Sequence, residues 1–376
     1  KNTKPKERQF KLKTAVSSST DNFQYIYPFH IIMRTWNFGI IGAGMVADFH
    51  ARSIQHISNA RLAGICGAGS GRAASLAKQY NCPEFSDYHA MLRSPEIDII
   101  TIATPSGMHM EPAVEAALQG KHVLCEKPLD ISLERIDKMI AAHAKAGTRL
   151  GGIFNYRFTD TVHLLKDAVE KARFGTITFA SIDVPWWRSN EYYEHKWRGT
   201  LALDGGGAMM NQAIHMVDLL QYLMGPIDSL HAYTATLGHN IEAEDTATAI
   251  LRFKNKALGS IYGSTASFPG QLRSVTITGT KGTVILEDNS IKVWQFADET
   301  GEDAQIRTQY ATTESGGGAA DPSSIPFELH AKNIAAFISA VETGKSFEID
   351  GNEARKAVEI ILTMYISAKE NRSFQF

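Results

Sequence analysis

The sequence predicts an α/β protein with a doubly wound parallel sheet in its first half and a strand-rich second domain. In the first half, short apolar runs alternate with segments of helical periodicity, the pattern that parallel strands joined by crossover helices produce. In the second half, from His231 to Val293, short β-rich runs are separated by turns. With 376 residues, of which 44% are hydrophobic, the chain is long enough for two domains.

Charge, hydropathy and cysteine content exclude several classes of protein. Lys and Arg total 38 against 40 Asp and Glu, and no basic run is long enough to follow a phosphate backbone, so we expect no nucleic-acid partner. No stretch of about 18 consecutive apolar residues is present, which argues against a membrane span. The three cysteines have no CxxC spacing and indicate neither a disulfide framework nor a metal site. These features predict a cytoplasmic protein.

A glycine-rich turn follows the first predicted strand. The apolar run 36–41 leads into residues 42–47 (Gly-Ala-Gly-Met-Val-Ala), and the chain then has helical character to Ile57. Gly42 permits a tight turn, Gly44 lets the backbone approach a pyrophosphate, and the helix N-terminus offers N–H groups to it. The residues expected to line the phosphates are Gly42, Gly44, Met45 and Val46. A purely structural glycine turn is the alternative.

The elements after this turn continue the alternation of strand and helix. Further strands are predicted at 61–66, 97–103, 121–125 and 149–154, and helices at 70–80, 109–119 and 132–146. Together with the glycine turn, this order predicts a Rossmann dinucleotide-binding domain.

The end of the second strand bears on which dinucleotide binds. An acidic residue usually occupies this position and grips the ribose 2′-OH, but here it is Gly67. Loss of the carboxylate removes its repulsion of a 2′-phosphate, and Ser70 and Arg72 can donate hydrogen bonds to one. We therefore expect NAD or NADP, with Arg72 as a solvated helix residue being the alternative interpretation.

Three further motifs carry a family resemblance. They are residues 103–109 (Ala-Thr-Pro-Ser-Gly-Met-His), 120–128 (Gly-Lys-His-Val-Leu-Cys-Glu-Lys-Pro) and 205–215 (Gly-Gly-Gly-Ala-Met-Met-Asn-Gln-Ala-Ile-His). From Trp36 to the C-terminus the chain resembles the Gfo/Idh/MocA oxidoreductases. The resemblance implies a C-terminal α+β domain with a large open, mainly antiparallel sheet that makes homodimer or homotetramer contacts. It also implies sugar, cyclitol or sugar-derivative substrates.

The resemblance also assigns site residues. It places Lys127 beside the reacting carbon and makes His215 the proton-transfer residue. A histidine suits the removal of a hydroxyl proton, and an ammonium stabilises negative charge on the same oxygen. The family often has aspartate four residues before this histidine, whereas this chain has Asn211, which cannot raise the basicity of the imidazole. The motifs add to the expected dinucleotide contacts Thr104, Pro105, His109, Glu126 and Lys127.

An irregular segment rich in aromatic residues and arginine, 185–199, fits the wall of a sugar pocket. Aromatic faces cover sugar C–H surfaces, and arginine donates to hydroxyls, carboxylates or phosphates. With Lys127, Asn211 and His215, the residues expected to bind substrate are Arg157, Arg188, Trp197 and Arg198. Core packing or a subunit contact is the alternative for the segment, and a structural salt bridge is the alternative for Arg157.

These observations give three regions and a leading function. Residues 1–32 are expected to be an extension outside the fold, 33–154 the Rossmann domain and 155–376 the domain for substrate and oligomer contacts, whose last helices can return to the Rossmann domain. Within the second domain, the polar stretch 298–326, which contains Ser-Gly-Gly-Gly at 315–318, predicts a mobile excursion. The leading hypothesis is hydride transfer between a nicotinamide cofactor and a ring hydroxyl or ketone. The alternatives are an NAD-dependent redox-elimination glycosidase and a non-catalytic dinucleotide sensor.

Overall fold

The computed structural model describes residues 34–67, 69, 71–194, 197–311 and 327–376. The expected extension 1–32, the proposed phosphate contact Ser70 and the Gly-rich stretch 315–318 lie outside the described residues.

The first sheet has six parallel strands in the order β3-β2-β1-β4-β5-β6. Its strands are β1 Trp36–Ile41, β2 Ala60–Cys66, β3 Glu84–Phe85, β4 Ile99–Ile102, β5 His122–Cys125 and β6 Leu150–Gly152. Its helices are α1 Met45–His56, α2 Arg72–Gln79, α3 Tyr88–Arg93, α4 Met110–Leu118 and α5 Leu133–Ala146. The predicted doubly wound sheet is confirmed, and its strand order reverses between β1 and β4, which is where such sheets open a ligand crevice.

The second sheet has eight strands in the order β13-β12-β11-β7-β10-β9-β8-β14. Among these described strands, only β7 and β10 pair in parallel, so the expected mainly antiparallel sheet is confirmed. Its strands are β7 Ile177–Pro185, β8 Ile227–Ala235, β9 Thr246–Phe253, β10 Leu258–Ser264, β11 Ser274–Gly279, β12 Gly282–Glu287, β13 Ser290–Phe296 and β14 Phe374–Gln375.

The helices of the second half are α6 Asp160–Glu170, α7 Asn190–Tyr193, α8 Ile214–Met224, α9 Gly301–Tyr310, α10 Glu328–Thr343 and α11 Gly351–Glu370. A π-helical turn, Ala208–Ala213, leads directly into α8.

On β9, buried and exposed side chains alternate, because one face of the sheet packs on helices and the described part of the chain leaves the other face uncovered. Among the described residues, no helix combines the length and apolar character that crossing a bilayer requires.

One stretch of the second half differs from expectation. The structure forms α9 within residues 298–326, for which the sequence predicts a mobile excursion and no helix. The side chain of Thr300 and that of Asp303 cap the first turn reciprocally. Asp303 also accepts hydrogen bonds from Arg173 and, at 2.6 Å, from Trp294 Nε1. A buried carboxylate with these partners holds the polar helix on β13.

The last helices return to the first sheet. The hydroxyl of Ser53 on α1 donates to the carbonyl of Phe327 at 3.0 Å, and Trp36 Nε1 donates to Glu342 at 2.9 Å. The backbone N–H of Phe154 donates to Asn333. These contacts place α10 beside α1, where it can reach the end of β5.

Candidate active site

The glycine turn after β1 contains two glycines, and different physical constraints act on the two positions. Gly42 has φ +112°, and a Cβ there would lie 2.4 Å from the carbonyl oxygen of Ala103, so only glycine fits. A Cβ on Gly44 would meet nothing within 4 Å. No side chain of the described residues caps the N-terminus of α1, and Met45 at its first position is exposed. This open turn fits a pyrophosphate lying on the helix end.

The end of β2 explains the missing acidic residue. A Cβ on Gly67 would lie 2.7 Å from Cβ of Ala43 and 3.1 Å from Cβ of Ala73. Close packing of the first turn against α2 therefore excludes a side chain at this position. Arg72 is exposed at the first position of α2. It follows Gly67, the position at which the ribose is expected, by five residues.

His109 joins the loops that follow β4 and β5. Its Nε2 lies 2.9 Å from the carbonyl oxygen of Thr104, and its Nδ1 lies 3.0 Å from that of Pro128. The ring is buried, and both nitrogens face protein carbonyls. His109 therefore positions two loops, which corrects its expected role as a direct dinucleotide contact. Gly107 in the first loop also donates to the carbonyl of Leu203, which ties the loop to the second half.

Glu126 lies beneath the expected site in a buried cluster with two histidines. Its Oε1 is 2.9 Å from His50 Nε2 and 3.6 Å from His330 Nε2, and its Oε2 accepts the N–H of Lys127 at 3.1 Å. Burial raises the pKa of Glu126, but the hydrogen bonds from His330 and His50 outweigh it and hold that pKa well below its ordinary value. The ligand atoms of the three side chains are close enough to share a metal ion. The bond from the N–H of Lys127 lets Glu126 position Lys127, and its expected dinucleotide contact stays a prediction.

Lys127 extends from the end of β5 to the π-helical turn. Its Nζ donates to the main-chain carbonyl of Asn211 at 2.6 Å. Burial lowers the pKa of Lys127, and nearby Arg188 lowers it further, while Glu126 and Asp204 act in the opposite direction. This contact brings the Glu-Lys-Pro motif and the 205–215 motif to one place, as the resemblance implied.

His215 lies one turn after Asn211, on α8. Its ring is 4.6 Å from that of Tyr156 and 5.7 Å from that of Phe154, measured between centroids. Burial, followed by the positive charge of Lys127, holds the pKa of His215 well below its ordinary value of 6.5. Its Nδ1 is buried and has no hydrogen-bond partner among the described residues. His215 is therefore a neutral imidazole in electrostatic contact with Lys127.

Sequence reasoning missed Asp204, a carboxylate beside these groups. Its Oδ1 accepts from Nδ2 of Asn211 at 2.6 Å, and its Oδ2 accepts the N–H of Gly199 at 2.8 Å. Burial raises the pKa of Asp204 to about 6, against the opposing effects of Gly199, Asn211 and Lys127. An acidic residue directly before three glycines was the available signal.

Glu244, also missed, explains the glycine triplet that precedes the π-helical turn. A Cβ on Gly207 would lie 1.7 Å from the Glu244 carbonyl oxygen. The Glu244 carboxylate accepts the N–H groups of Gly207 and Met209 at 2.9 and 2.8 Å, and the hydroxyl of Tyr365 at 2.9 Å. These bonds hold the backbone that presents Asn211 to Lys127.

The arginine and aromatic segment is brought to the same region. Arg188 is buried and lies over the rings of Trp186 and Tyr192, at 5.0 and 5.6 Å from their centroids. Arg198 lies over Tyr192 at 4.0 Å and over Trp197 at 5.4 Å. The hydroxyl of Tyr192 accepts from Nε2 of Gln212 on the π-helical turn at 3.0 Å, and the N–H of Gly199 donates to Asp204, so this wall of arginine and aromatic side chains borders the site.

Arg157 lies outside this wall. Its side chain is 1% exposed and donates to Asp218 at 2.7 Å and to Glu353 at 3.1 Å, and its guanidinium lies over the ring of Tyr222 at 4.4 Å. Since a buried ion pair occupies the guanidinium, Arg157 stabilises the fold and its expected substrate contact is corrected.

Comparisons with known proteins agree with this geometry. Residues 36–153 match the model of an oxidoreductase family with an NAD-binding Rossmann fold, and residues 162–285 match that of the Gfo/Idh/MocA C-terminal domain. The chain belongs to the Gfo/Idh/MocA family. The resemblance read from the three motifs is thereby confirmed.

Members of the Gfo/Idh/MocA family with solved structures include two WlbA dehydrogenases, each in complex with NADH and UDP-GlcNAcA. That from Bordetella pertussis is 34% identical with a TM-score of 0.83, over 91% of this chain and 98% of that chain. That from Chromobacterium violaceum is 32% identical with a TM-score of 0.82, over 92% and 97%. The myo-inositol 2-dehydrogenase of Thermotoga maritima is 26% identical over 89% of this chain and 97% of the relative. This Gfo/Idh/MocA protein is thus an oxidoreductase with an NAD-binding Rossmann fold, of a family whose members act on sugars or cyclitols.

Proposed function

We propose that this protein interconverts a ring hydroxyl and the corresponding ketone of a sugar derivative. The contact between Lys127 Nζ and the carbonyl of Asn211 supports this proposal most directly. It joins the carboxyl end of β5, where doubly wound sheets bind ligands, to the element that carries Asn211 and His215. When bound, the dinucleotide supplies hydride transfer at its nicotinamide ring.

The side chains divide the remaining work. The Lys127 ammonium stabilises negative charge on the substrate oxygen, and the neutral His215 imidazole accepts the hydroxyl proton. Protonated His215 would lie beside Lys127 and in a buried setting, so the histidine holds the proton only briefly. Asn211 orients the substrate by hydrogen bonding.

The charges around the site favour an anionic sugar. Lys127, Arg188 and Arg198 are cationic, while the carboxylates that act on Lys127 are those of Glu126 and Asp204. Arginine pairs well with a carboxylate or a phosphate. The two WlbA structures that contain UDP-GlcNAcA support the same direction. We propose a sugar that bears a carboxylate, free or attached to a nucleotide, as the substrate class.

Both NAD and NADP are compatible with the end of β2, where Gly67 replaces the acidic residue. We assign Arg72 to the 2′-phosphate of NADP. Thermal-shift titrations compare the two dinucleotides, because a ligand that binds the folded state raises the melting temperature. Arg72→Leu should weaken NADP binding about 10-fold and leave NAD binding unchanged. An equal effect on both would remove Arg72 from this role.

The uncovered face of the second sheet is proposed to contact a second copy of the chain. It presents the apolar side chains of Phe179, Tyr233, Ile250 and Leu258 to solvent. An antiparallel sheet can face water on one side, but these large apolar residues are costly to leave exposed. We propose a cytoplasmic homodimer or homotetramer.

The central experiment measures turnover of the purified protein with each dinucleotide and a panel of sugars, uronic acids and nucleotide-linked uronic acids. A dehydrogenase forms reduced nicotinamide in proportion to substrate, and Lys127→Met should lower kcat by about 10²- to 10⁴-fold. Lys138→Met, an exposed change on α5, is the control. Glycoside cleavage without net cofactor reduction would indicate the redox-elimination glycosidase. Dinucleotide binding without turnover would favour a sensor.

A further inference from the structure

We propose that Asp204 is a positioning residue of the reaction, which supplies through Asn211 the negative charge that the site needs beside Lys127. The proposal rests on the proposed function for its kinetic readout. Asp204 is 2% exposed and lies directly before the glycine triplet. Asn211 has no carboxylate of its own, and Asp204 places one beside the Asn211 side chain.

Asn211 links the carboxylate to the ammonium through two hydrogen bonds, one at its side chain and one at its main chain. Asp204 Oδ1 accepts from the side-chain Nδ2 of Asn211 at 2.6 Å, and the main-chain carbonyl of Asn211 accepts from Lys127 Nζ at 2.6 Å. The second carboxylate oxygen is fixed by the N–H of Gly199. Both oxygens of Asp204 are thus held, and its charge cannot rotate away from the site.

The first of these bonds also sets the orientation of the Asn211 amide. A carboxylate accepts hydrogen bonds and donates none when ionised, so the NH₂ group of Asn211 must point to Asp204. The amide oxygen then remains as the acceptor for a substrate hydroxyl. A change that turns the amide over would present a donor in its place.

The charge of Asp204 reaches Lys127 as well. The charged and titratable groups that face Asp204 are Lys127, Arg198, Tyr192 and Tyr193. Burial lowers the pKa of Lys127 and Arg188 lowers it further, while Glu126 and then Asp204 raise it. Without Asp204, the cations of the site would repel one another and Lys127 would lose its proton more easily.

The variant Asp204→Asn tests the role without breaking the hydrogen bonds. The amide introduced by this change can accept the N–H of Gly199 with its oxygen and donate to Asn211, but only if the Asn211 amide turns over. We expect kcat/KM to fall roughly 100-fold. We also expect the native protein to lose activity as the pH falls through about 6, where Asp204 takes up a proton, and we expect Asp204→Asn to lack this loss. The control is Asp137→Asn, because Asp137 is an exposed carboxylate that pairs with Arg355.

The exchanged variant Asp204→Asn/Asn211→Asp restores a carboxylate-amide pair with every hydrogen bond satisfied. It should recover most of the activity, and this also holds if the single variant does not fold. A folded exchanged variant without activity, or an active Asp204→Asn variant with native rate and pH profile, would overturn the proposal.

A second readout needs no turnover. In protein labelled with ¹³C at lysine Cε, the Lys127 signal, assigned with Lys127→Arg, should titrate at lower pH in Asp204→Asn than in the native protein. An unchanged Lys127 titration would overturn the role of Asp204. An inactive native protein with the expected Lys127 shift would overturn the proposed function alone.

Discussion

The imidazole of His215 lies against the ring of Tyr156, with 4.6 Å between centroids and 36° between the ring planes. The guanidinium of Arg273 lies over Tyr156 at 3.8 Å. Burial, Lys127 and Arg273 all lower the pKa of His215. The environment thus keeps the imidazole in the neutral form, which is the form that can accept a proton.

We expect His215 to remain neutral to well below pH 6.5. Its lowered pKa means that the protonated form appears only at acid pH, so above 6.5 this histidine imposes no loss of activity. ¹⁵N NMR of histidine-labelled protein measures the titration, with the His215→Gln variant to assign the signal. The same variant should lose about 10²- to 10⁴-fold in kcat and bind dinucleotide normally. Titration of His215 at or above pH 6.5 would contradict this arrangement.

The two glycines of the first turn should separate folding from dinucleotide binding. Gly44→Ala places its methyl group in open space, so the melting temperature without ligand should not change. The methyl group occupies the place expected for the pyrophosphate, and NAD affinity should fall about 10-fold. Gly42→Ala is the contrast, because its Cβ meets the Ala103 carbonyl and should destabilise the fold itself. Unchanged NAD affinity in Gly44→Ala would place the phosphates elsewhere.

The sequence was sufficient for the parts of the fold that depend on local pattern. The β-rich runs predicted between His231 and Val293 include β9 and β10, because β-branched and apolar residues are visible in the sequence itself. The short β3 and helix α3 were missed because two and six residues carry too little periodicity. Helix α9 was missed because its stability comes from capping and from the buried Asp303.

The candidate site was predictable only where a motif marked it. Lys127, Asn211 and His215 come from motifs, and the contact of Lys127 with Asn211 joins two of them. The Glu244 carboxylate accepts from Gly207 and Met209, which lie 37 and 35 positions earlier, and the Asp204 carboxylate bonds within its own loop to Gly199 and Asn211. A single sequence gives no distance between such residues. The burial of Arg157 likewise depends on tertiary structure, because its ion pair with Asp218 forms only in the folded chain.

The uncovered sheet face gives a prediction about assembly. Ile250 is 68% exposed in the single chain, and Ile250→Lys should convert the oligomer to a smaller species, because a buried ammonium opposes association. Size-exclusion chromatography with light scattering measures the mass. Leu118→Lys on α4, a residue 72% exposed, is the control and should leave the mass unchanged. A native protein that is monomeric, or an unchanged mass in Ile250→Lys, would contradict the proposed interface.

Stability at acid pH should depend on His143, a buried histidine on α5. Its ring bonds to Thr148 Oγ1 at 2.7 Å and to the carbonyl of Ala113 at 3.1 Å, and burial lowers its pKa from 6.5 to about 4. Above pH 6.5 neither the folded nor the unfolded chain is protonated at this residue, so it contributes no pH dependence. Between pH 6.5 and about 4 only the unfolded chain takes up the proton, and the free energy of unfolding should fall by up to about 3 kcal/mol. Urea unfolding across this range should therefore show a free energy of unfolding that depends less on pH in His143→Gln than in the native protein. His163→Gln, at an exposed position on α6, is the control and should follow the native profile. Equal pH dependence in all three proteins would show that His143 is protonated without cost in the folded state.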